Sequence, residues 1–118
     1  MLEPSKKRTT KVKQYMDSVC GLLQRNSSRD LPIKSYIIQR TFDISDIVVR
    51  QIIGKLRDKG HPVASGKSGF WYARNANDLQ STIDELTDRM SVMSRRKQML
   101  LKAQNNLLVE ADGQLKLL

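Results

Sequence analysis

The 118-residue sequence has little of what catalytic, metal-binding or membrane-spanning proteins depend on. Its one cysteine, Cys20, excludes a disulfide within the chain, and with one histidine, His61, the usual zinc ligands are too few. The start Met1–Pro4 lacks the apolar segment of a signal peptide, and no apolar run approaches the length of a membrane span. We therefore expect an intracellular protein in a reducing compartment, with no cofactor and no metal.

Enzymatic activity is not indicated either. Cys20 and His61 stand apart in the sequence, and no pair of carboxylates stands out from the charges of helix surfaces, so no catalytic residue is predicted. The segment Gly66-Lys67-Ser68 lacks the glycine spacing and the strand-to-helix context of a phosphate-binding loop.

Positive charge is what the sequence has in excess, with a formal net charge of +9. Residues 1–40 carry nine Lys/Arg against three Asp/Glu, residues 41–76 carry six against three, and residues 77–118 carry six against six. Because each cation set against a phosphate releases condensed counterions, the first two thirds favour a polyanionic partner such as double-stranded DNA. The last third must have another role.

A helix with one apolar and one polar face is predicted over residues 45–59. Ser45 is a suitable N-cap, and Gly60 followed by Pro62 ends the helix. Three apolar residues share the spacing of one buried stripe: Val49, Ile53 and Leu56. The opposite face carries Asp46, Ile47, Arg50, Gln51 and Gly54. A helix hidden on one side and polar on the other is suited to a DNA major groove.

Shorter elements flank this helix. Apolar spacing predicts a first helix over residues 11–25 and a second helix over residues 33–40. In the second helix we expect Tyr36 and Ile37 to point inward, with Ile38 as a further candidate. Ile44 is expected to fill the turn that follows. The segments Pro62–Ser65 and Phe70–Ala73 form a hairpin around a glycine turn, with two of Val63, Phe70 and Tyr72 inward. Residues 1–10 are too polar to pack and are predicted to be a disordered basic arm, which either contacts DNA or is a solvated tail.

The last third is predicted to be one long helix over residues 77–112, opened by a capping box at Asn77 and Gln80 and followed by a flexible tail at 113–118. About thirty helical residues measure roughly 45 Å, more than the small domain can cover, so the helix either pairs with a second copy or folds back on its own domain. We favour a homodimer. The seam residues step by four and three: Leu79, Ile83, Leu86, Met90, Met93, Lys97, Leu100, Gln104 and Leu107.

The expected fold is therefore mainly α with a small β-hairpin: a winged helix-turn-helix domain over residues 11–76, followed by a long coiled-coil-like helix. The central residues resemble a known family. Ser45, Val49, Ile53, Leu56-Arg57, Gly60 and Pro62-Val63, followed by Gly69–Tyr72, are similar to the DNA-binding domain of biotin-repressor-type regulators and to small winged-helix proteins of phages and mobile elements. The resemblance covers residues 33–74 and leaves no room for the ligase domain of the biotin repressors.

The resemblance implies roles for individual residues. It sets Asp46, Ile47, Arg50 and Gln51 against base edges, where Arg50 suits guanine and Gln51 suits adenine. The residues expected at the DNA backbone are Lys34, Ser35, Lys55, Lys67 and Arg74. Gly54, which costs about 1 kcal/mol of helix propensity, serves either the close approach of a phosphate or neighbouring helix, or core packing.

We predict a sequence-specific double-stranded DNA-binding protein, most simply a dimeric transcription regulator of phage or mobile-element type. It would read the major groove with helix 45–59 and the backbone with wing 63–72. The alternative is a protein-binding adaptor, or a replication or recombination accessory protein, that redirects a host machine. The expected location is the cytoplasm with its nucleoid, or the host cytoplasm if the protein is viral.

Overall fold

The computed structural model describes the backbone of residues 5–117 and the side chains of residues 6–113. Within them the elements are α1 (Ser5–Asn26), α2 (Ser35–Phe42), α3 (Asp46–Asp58), β1 (Val63–Gly66), β2 (Gly69–Tyr72) and α4 (Asn77–Leu117). The predicted fold class, mainly helical with one antiparallel hairpin and a long C-terminal helix, is confirmed. The chain divides after Thr82 into two compact units, which are described separately.

Helix α1 begins at Ser5. The prediction of a disordered arm is therefore wrong for Ser5–Thr10, while residues 1–4 lie outside the described residues. The composition was misleading because lysine and arginine are good helix formers, and no Pro or Gly interrupts the chain between Ser5 and Cys20. Val12, buried in the core, anchors this early part of the helix.

Helix α2 buries in the core only Ile38, the residue that the sequence indicated as a further candidate. Ile38 is fully buried, whereas Tyr36 is 49% exposed and Ile37 is exposed as well. The prediction that Tyr36 and Ile37 point inward is thus wrong. In a helix of eight residues with three consecutive large apolar side chains, spacing alone cannot select the buried one. After α2, Asp43 adopts a left-handed conformation, and Ile44 is buried in the turn as expected.

Helix α3 follows the sequence prediction closely. The Ser45 hydroxyl accepts a hydrogen bond from the Val48 N–H at 3.3 Å, and the chain leaves the helix through Gly60, whose φ is +92°. The predicted stripe is buried, and Val48 and Ile52 are buried beside it. This broad apolar side of α3 contributes to one core with α1, α2 and β1: Val12, Val19, Cys20, Leu23, Ile38, Ile44, Val48, Val49, Ile52, Ile53, Leu56 and Val63.

Strands β1 and β2 form the predicted hairpin, joined by Lys67-Ser68. Val63 is buried, and Phe70 and Tyr72 pack partly buried against the core. Phe70 also exchanges two backbone hydrogen bonds with Ile33, at 2.7 and 2.8 Å, on its side away from β1. Gly69 allows this contact, because its φ is +130° and a Cβ there would lie 2.4 Å from the Ile33 carbonyl oxygen.

The second face of the hairpin is covered by the start of α4. Trp71, whose environment the sequence left unassigned, is buried and donates from Nε1 to the Asp78 carbonyl at 3.1 Å. The Thr82 hydroxyl bonds both the N–H and the carbonyl of Ser65, at 3.0 and 3.2 Å. The capping box predicted at Asn77 and Gln80 is shifted: the Asp78 N–H donates to Asn75 Oδ1 at 2.9 Å.

From Ile83 onward α4 is a helix whose own apolar residues stay exposed. Every side chain from Ile83 to Gly113 is exposed except Val92, which is half-buried. The helix continues to Leu117, so the flexible tail predicted at 113–118 is helical over 113–117, and residue 118 lies outside the described part of the chain. Across the described residues, no helix combines the length and apolar character needed to cross a membrane.

Candidate nucleic-acid interface

The predicted base-reading residues share the side of α3 that faces away from the core. Arg50 is 71% exposed at its side chain, and Gln51 is exposed next to it. Ile47 and Asp46 are half-buried in the first turn of the same face. This pattern follows from the helix period, because the buried stripe occupies the opposite side. Arg50 and Gln51 are therefore accessible to a ligand that approaches this face of α3.

Arg50 is held in place by a chain of polar contacts. Its Nε donates to Asp46 Oδ2 at 2.8 Å, and the Ser35 hydroxyl donates to Asp46 Oδ1 at 2.6 Å. The Gln39 amide donates in turn to the Ser35 hydroxyl at 3.1 Å. These bonds from Ser35, and then from Arg50, hold the pKa of Asp46 below its ordinary value. Asp46 therefore stays ionised and fixes the arginine against α3.

These contacts differ from the roles predicted for two residues. Ser35 was expected to meet a phosphate and Asp46 a base, but both bond within the chain, linking α2 to α3. The bonds of Asp46 to Arg50 and Ser35 explain why an acidic residue lies on a face of α3 that is otherwise suited to a polyanionic ligand. Since the contact with Asp46 is made through Nε, the end-on edge of the guanidinium, formed by its two terminal nitrogens, has the geometry of a bidentate contact to guanine.

The predicted backbone contacts fall into two groups. Lys34, Lys55 and Lys67 are exposed, with Lys67 at the tip of the hairpin. Arg74 instead donates from Nη2 to the carbonyl oxygens of Gln24 and Ser27 at the end of α1, the latter at 3.2 Å. Cations are stabilised at helix C-termini, so its position in the structure is that of a cap for α1.

The first turns of α1 add a feature that the sequence did not predict. They lie beside α3, and the two helices enclose an open groove lined by Thr9, Val12, Gln51, Gly54, Lys55 and Asp58. Lys6 and Lys13 stand three residues before and four after Thr9, so helical spacing puts them on the same flank of α1. Sequence reasoning missed the groove because residues 1–10 were predicted to be disordered.

The predicted dimer seam is accessible along α4. Ile83, Leu86 and Met90 are exposed, as are the seam residues that follow them through Leu107. Leu79, by contrast, is half-buried in the unit that ends at Thr82. Further exposed apolar side chains lie outside the predicted seam: Met99, Leu101, Leu108 and Val109. In the C-terminal half of α4, the exposed apolar surface is thus wider than the predicted dimer seam.

Cys20 and His61, isolated in sequence, are neighbours in the fold. The Cys20 sulfur lies 3.7 Å from His61 Nδ1, which lies 3.1 Å from the Tyr72 hydroxyl. Burial, with a contribution from Asp17, raises the pKa of the Cys20 thiol. A protonated, buried thiol is a weak nucleophile, so these contacts join α1 through His61 to Tyr72 of the hairpin without activating the sulfur.

Comparison of the chain with protein-family models, with curated proteins and with solved structures gives no match.

Proposed function

We propose that the protein binds double-stranded DNA sequence-specifically, with α3 in the major groove. The observation that carries this proposal is the exposed Arg50–Gln51 pair on the face of α3 opposite its buried stripe, with Arg50 held by Asp46. Arg50 would pair with guanine O6 and N7, Gln51 with adenine N6 and N7, and Ile47 would touch a thymine methyl group. Ser35 and Asp46 would support this contact by fixing the arginine.

The wing and the neighbouring lysines would position the domain. Lys67 at the hairpin tip, with Lys34 and Lys55, would contact phosphates and carry no sequence information. The lysines in the early turns of α1 extend the same positive surface beside α3. Together with the net charge of +9, they support a polyanionic ligand and predict binding that weakens steeply with salt.

The protein would act as a homodimer through α4. Exposed large apolar residues recur along α4 from Ile83 to Leu107, and burying them against a second copy removes them from water. A two-fold dimer matches the symmetry of a palindromic DNA site. This arrangement resembles winged-helix transcription regulators of phages and mobile elements, and it implies a location with access to DNA, in the nucleoid or in the cytoplasm of an infected host.

A second candidate, a protein-binding adaptor or a replication or recombination accessory protein, is favoured by one observation. Tyr36 and Ile37 are exposed on α2, and Leu31 is 73% exposed just before it. Large apolar side chains on a surface mark protein contacts more often than phosphate contacts. In this role the winged-helix unit would bind a partner protein of a host machine instead of reading DNA.

A gel-shift experiment with Arg50→Ala tests the DNA proposal. Wild type is titrated against random duplex and against duplexes selected from a random pool, each at two salt concentrations. Arg50→Ala should lose about 1–3 kcal/mol of discrimination between selected and random duplex, because the guanine contact is lost. A steep salt dependence is expected for both proteins.

Arg89→Ala is the matched control. Arg89 pairs with Glu85 across one helical turn at 2.8 Å, as Arg50 pairs with Asp46, and its side chain is similarly exposed, but it lies on α4. It should bind like wild type. An equal loss of discrimination in both variants would point to a general effect of charge and would contradict recognition of bases in the major groove. A wild type that retards neither duplex while binding a protein through Tyr36 and Ile37 would support the adaptor.

A further inference from the structure

We propose that Gly54 forms a notch through which the sugar–phosphate backbone of the bound DNA approaches α3, entering the groove between α1 and α3. This inference rests on the proposed DNA binding and adds a contact that sets how closely α3 approaches the duplex. It assigns a ligand to the groove lined by Thr9, Val12, Gln51, Gly54, Lys55 and Asp58.

The fold itself does not require a glycine at this position. Gly54 lies in the middle of α3, has no positive φ, and a Cβ built on it would meet no atom of the chain within 4 Å. Packing against the core, or against a neighbouring helix of the same chain, therefore does not explain the residue. Glycine in a helix interior lowers stability relative to alanine, so the notch is a cost to folding that an external contact can offset.

The position of Gly54 on α3 fits an approaching ligand. It lies one turn beyond Arg50, two turns beyond Ile47 and one turn before Asp58, on the exposed face of α3. Without a side chain at Gly54, the backbone of α3 is open to the groove, which Lys55 and Thr9 also line. A group entering the groove can therefore come closer to the axis of α3 here than at either neighbouring turn.

The charge around the groove selects a phosphate-bearing ligand. Lys55 lines the groove, and Lys6 and Lys13 flank Thr9 on α1. Residues 5–16 contain five Lys/Arg and no Asp/Glu. Asp58, at the far end, is the acidic residue that lines the groove. An anionic strand is favoured over an acid-poor peptide or a second copy of this basic surface, because cations on two helices would contact it.

The test compares Gly54→Ala with wild type on the duplex that wild type binds best. The added methyl group should raise the melting temperature by roughly 4–8 °C, because alanine restores helix propensity. The same methyl should lower DNA affinity by about 5- to 150-fold, because it holds the backbone away from α3. A more stable protein that binds less tightly is the expected signature.

Gly113→Ala is the matched control, since Gly113 is also an exposed helical glycine with no atom within 4 Å of a built Cβ, but lies on α4. It should leave DNA affinity unchanged. Lys55→Ala should reduce the salt dependence of binding by about one phosphate contact. Sedimentation of Gly54→Ala should match wild type.

The outcomes separate this inference from the proposal it rests on. If wild type binds DNA and Gly54→Ala binds equally or more tightly, the notch is not a DNA contact and the inference fails, while DNA binding stands. If Gly54→Ala loses self-association instead of affinity for DNA, a second copy occupies the groove and the inference also fails. If wild type retards no duplex, both fail.

Discussion

The two units of the chain treat apolar residues in opposite ways. In residues 5–82, three helices and a hairpin bury most of their large apolar side chains in one core, with Leu31, Tyr36 and Ile37 left exposed. From Ile83 onward, the same helix exposes leucines, methionines and a valine along its length. Tertiary packing, more than propensity, stabilises most helices in proteins. The first unit therefore holds its own structure, whereas the exposed apolar residues of the second are those that the proposed dimer would bury.

The function that we propose divides along the same line. The excess of positive charge lies in residues 1–76, which also hold the Arg50–Gln51 face, whereas residues 77–118 carry no net charge. In the proposed dimer, the first unit recognises DNA and the second joins two copies. If that division holds, substitutions in one unit should leave the properties of the other nearly unchanged.

The largest expected difference is in the free energy of unfolding when the same substitution, leucine to alanine, is made in each unit. Leu23→Ala should lower the free energy of unfolding of residues 5–82 by about 2–5 kcal/mol, because the side chain is 0% exposed and its loss leaves a cavity. Leu107→Ala, at a side chain that is 65% exposed, should change that free energy by less than about 0.5 kcal/mol. Urea denaturation at low protein concentration measures both. Similar losses would show that the units do not differ in this way.

The next largest effect concerns self-association. Leu86→Asp with Met93→Asp should raise the dimer dissociation constant by on the order of 100-fold or more, because each carboxylate would be buried in the seam. Sedimentation should show wild type at twice the chain mass and the variant at the chain mass. Ser91→Asp, which adds one carboxylate on another face of α4, should stay dimeric. A wild type that is monomeric at high concentration would rule out the seam.

The smallest effect tests the support of Arg50. Asp46→Asn should lower the free energy of unfolding by less than about 1 kcal/mol at neutral pH, as for other exposed ion pairs. Because the pKa of Asp46 is lowered in the folded protein, its contribution is present above the ordinary value of 3.8. It is lost as the pH falls through the lowered folded value.

Urea denaturation at a series of pH values measures this difference, and Ser35→Ala shows how much of it depends on the hydroxyl. The difference between wild type and Asp46→Asn should shrink toward acidic pH. A difference that grows on acidification would mean that the carboxylate destabilises the fold.

What the sequence predicted well was local. Ser45, Gly60 and the spacing of Val49, Ile53 and Leu56 defined α3, because capping and helical period act within a few residues. The hairpin followed from its glycine turn in the same way. What the sequence missed depended on distant partners. Trp71 is buried by the start of α4, and Cys20 meets a histidine 41 residues away.

The candidate site shows the same limit. The exposed face of α3 followed from periodicity, so Arg50 and Gln51 were placed correctly on it. The role of Asp46 depends on Ser35, eleven residues earlier on another helix, and no local pattern pairs them. The groove beside Gly54 depends on α1 being helical from Ser5, which the composition of residues 1–10 concealed.

The four outer hydrogen bonds of the hairpin have a consequence for aggregation. Ser65 and Phe70 face each other across the sheet and direct their N–H and carbonyl groups outward, where unpaired strands of other chains commonly add. The Thr82 hydroxyl occupies both groups of Ser65, and the backbone of Ile33 occupies both groups of Phe70. Both edges of the two-stranded sheet are thus already hydrogen-bonded at Ser65 and Phe70. We expect this to protect the protein, at high concentration, from aggregation by strand addition.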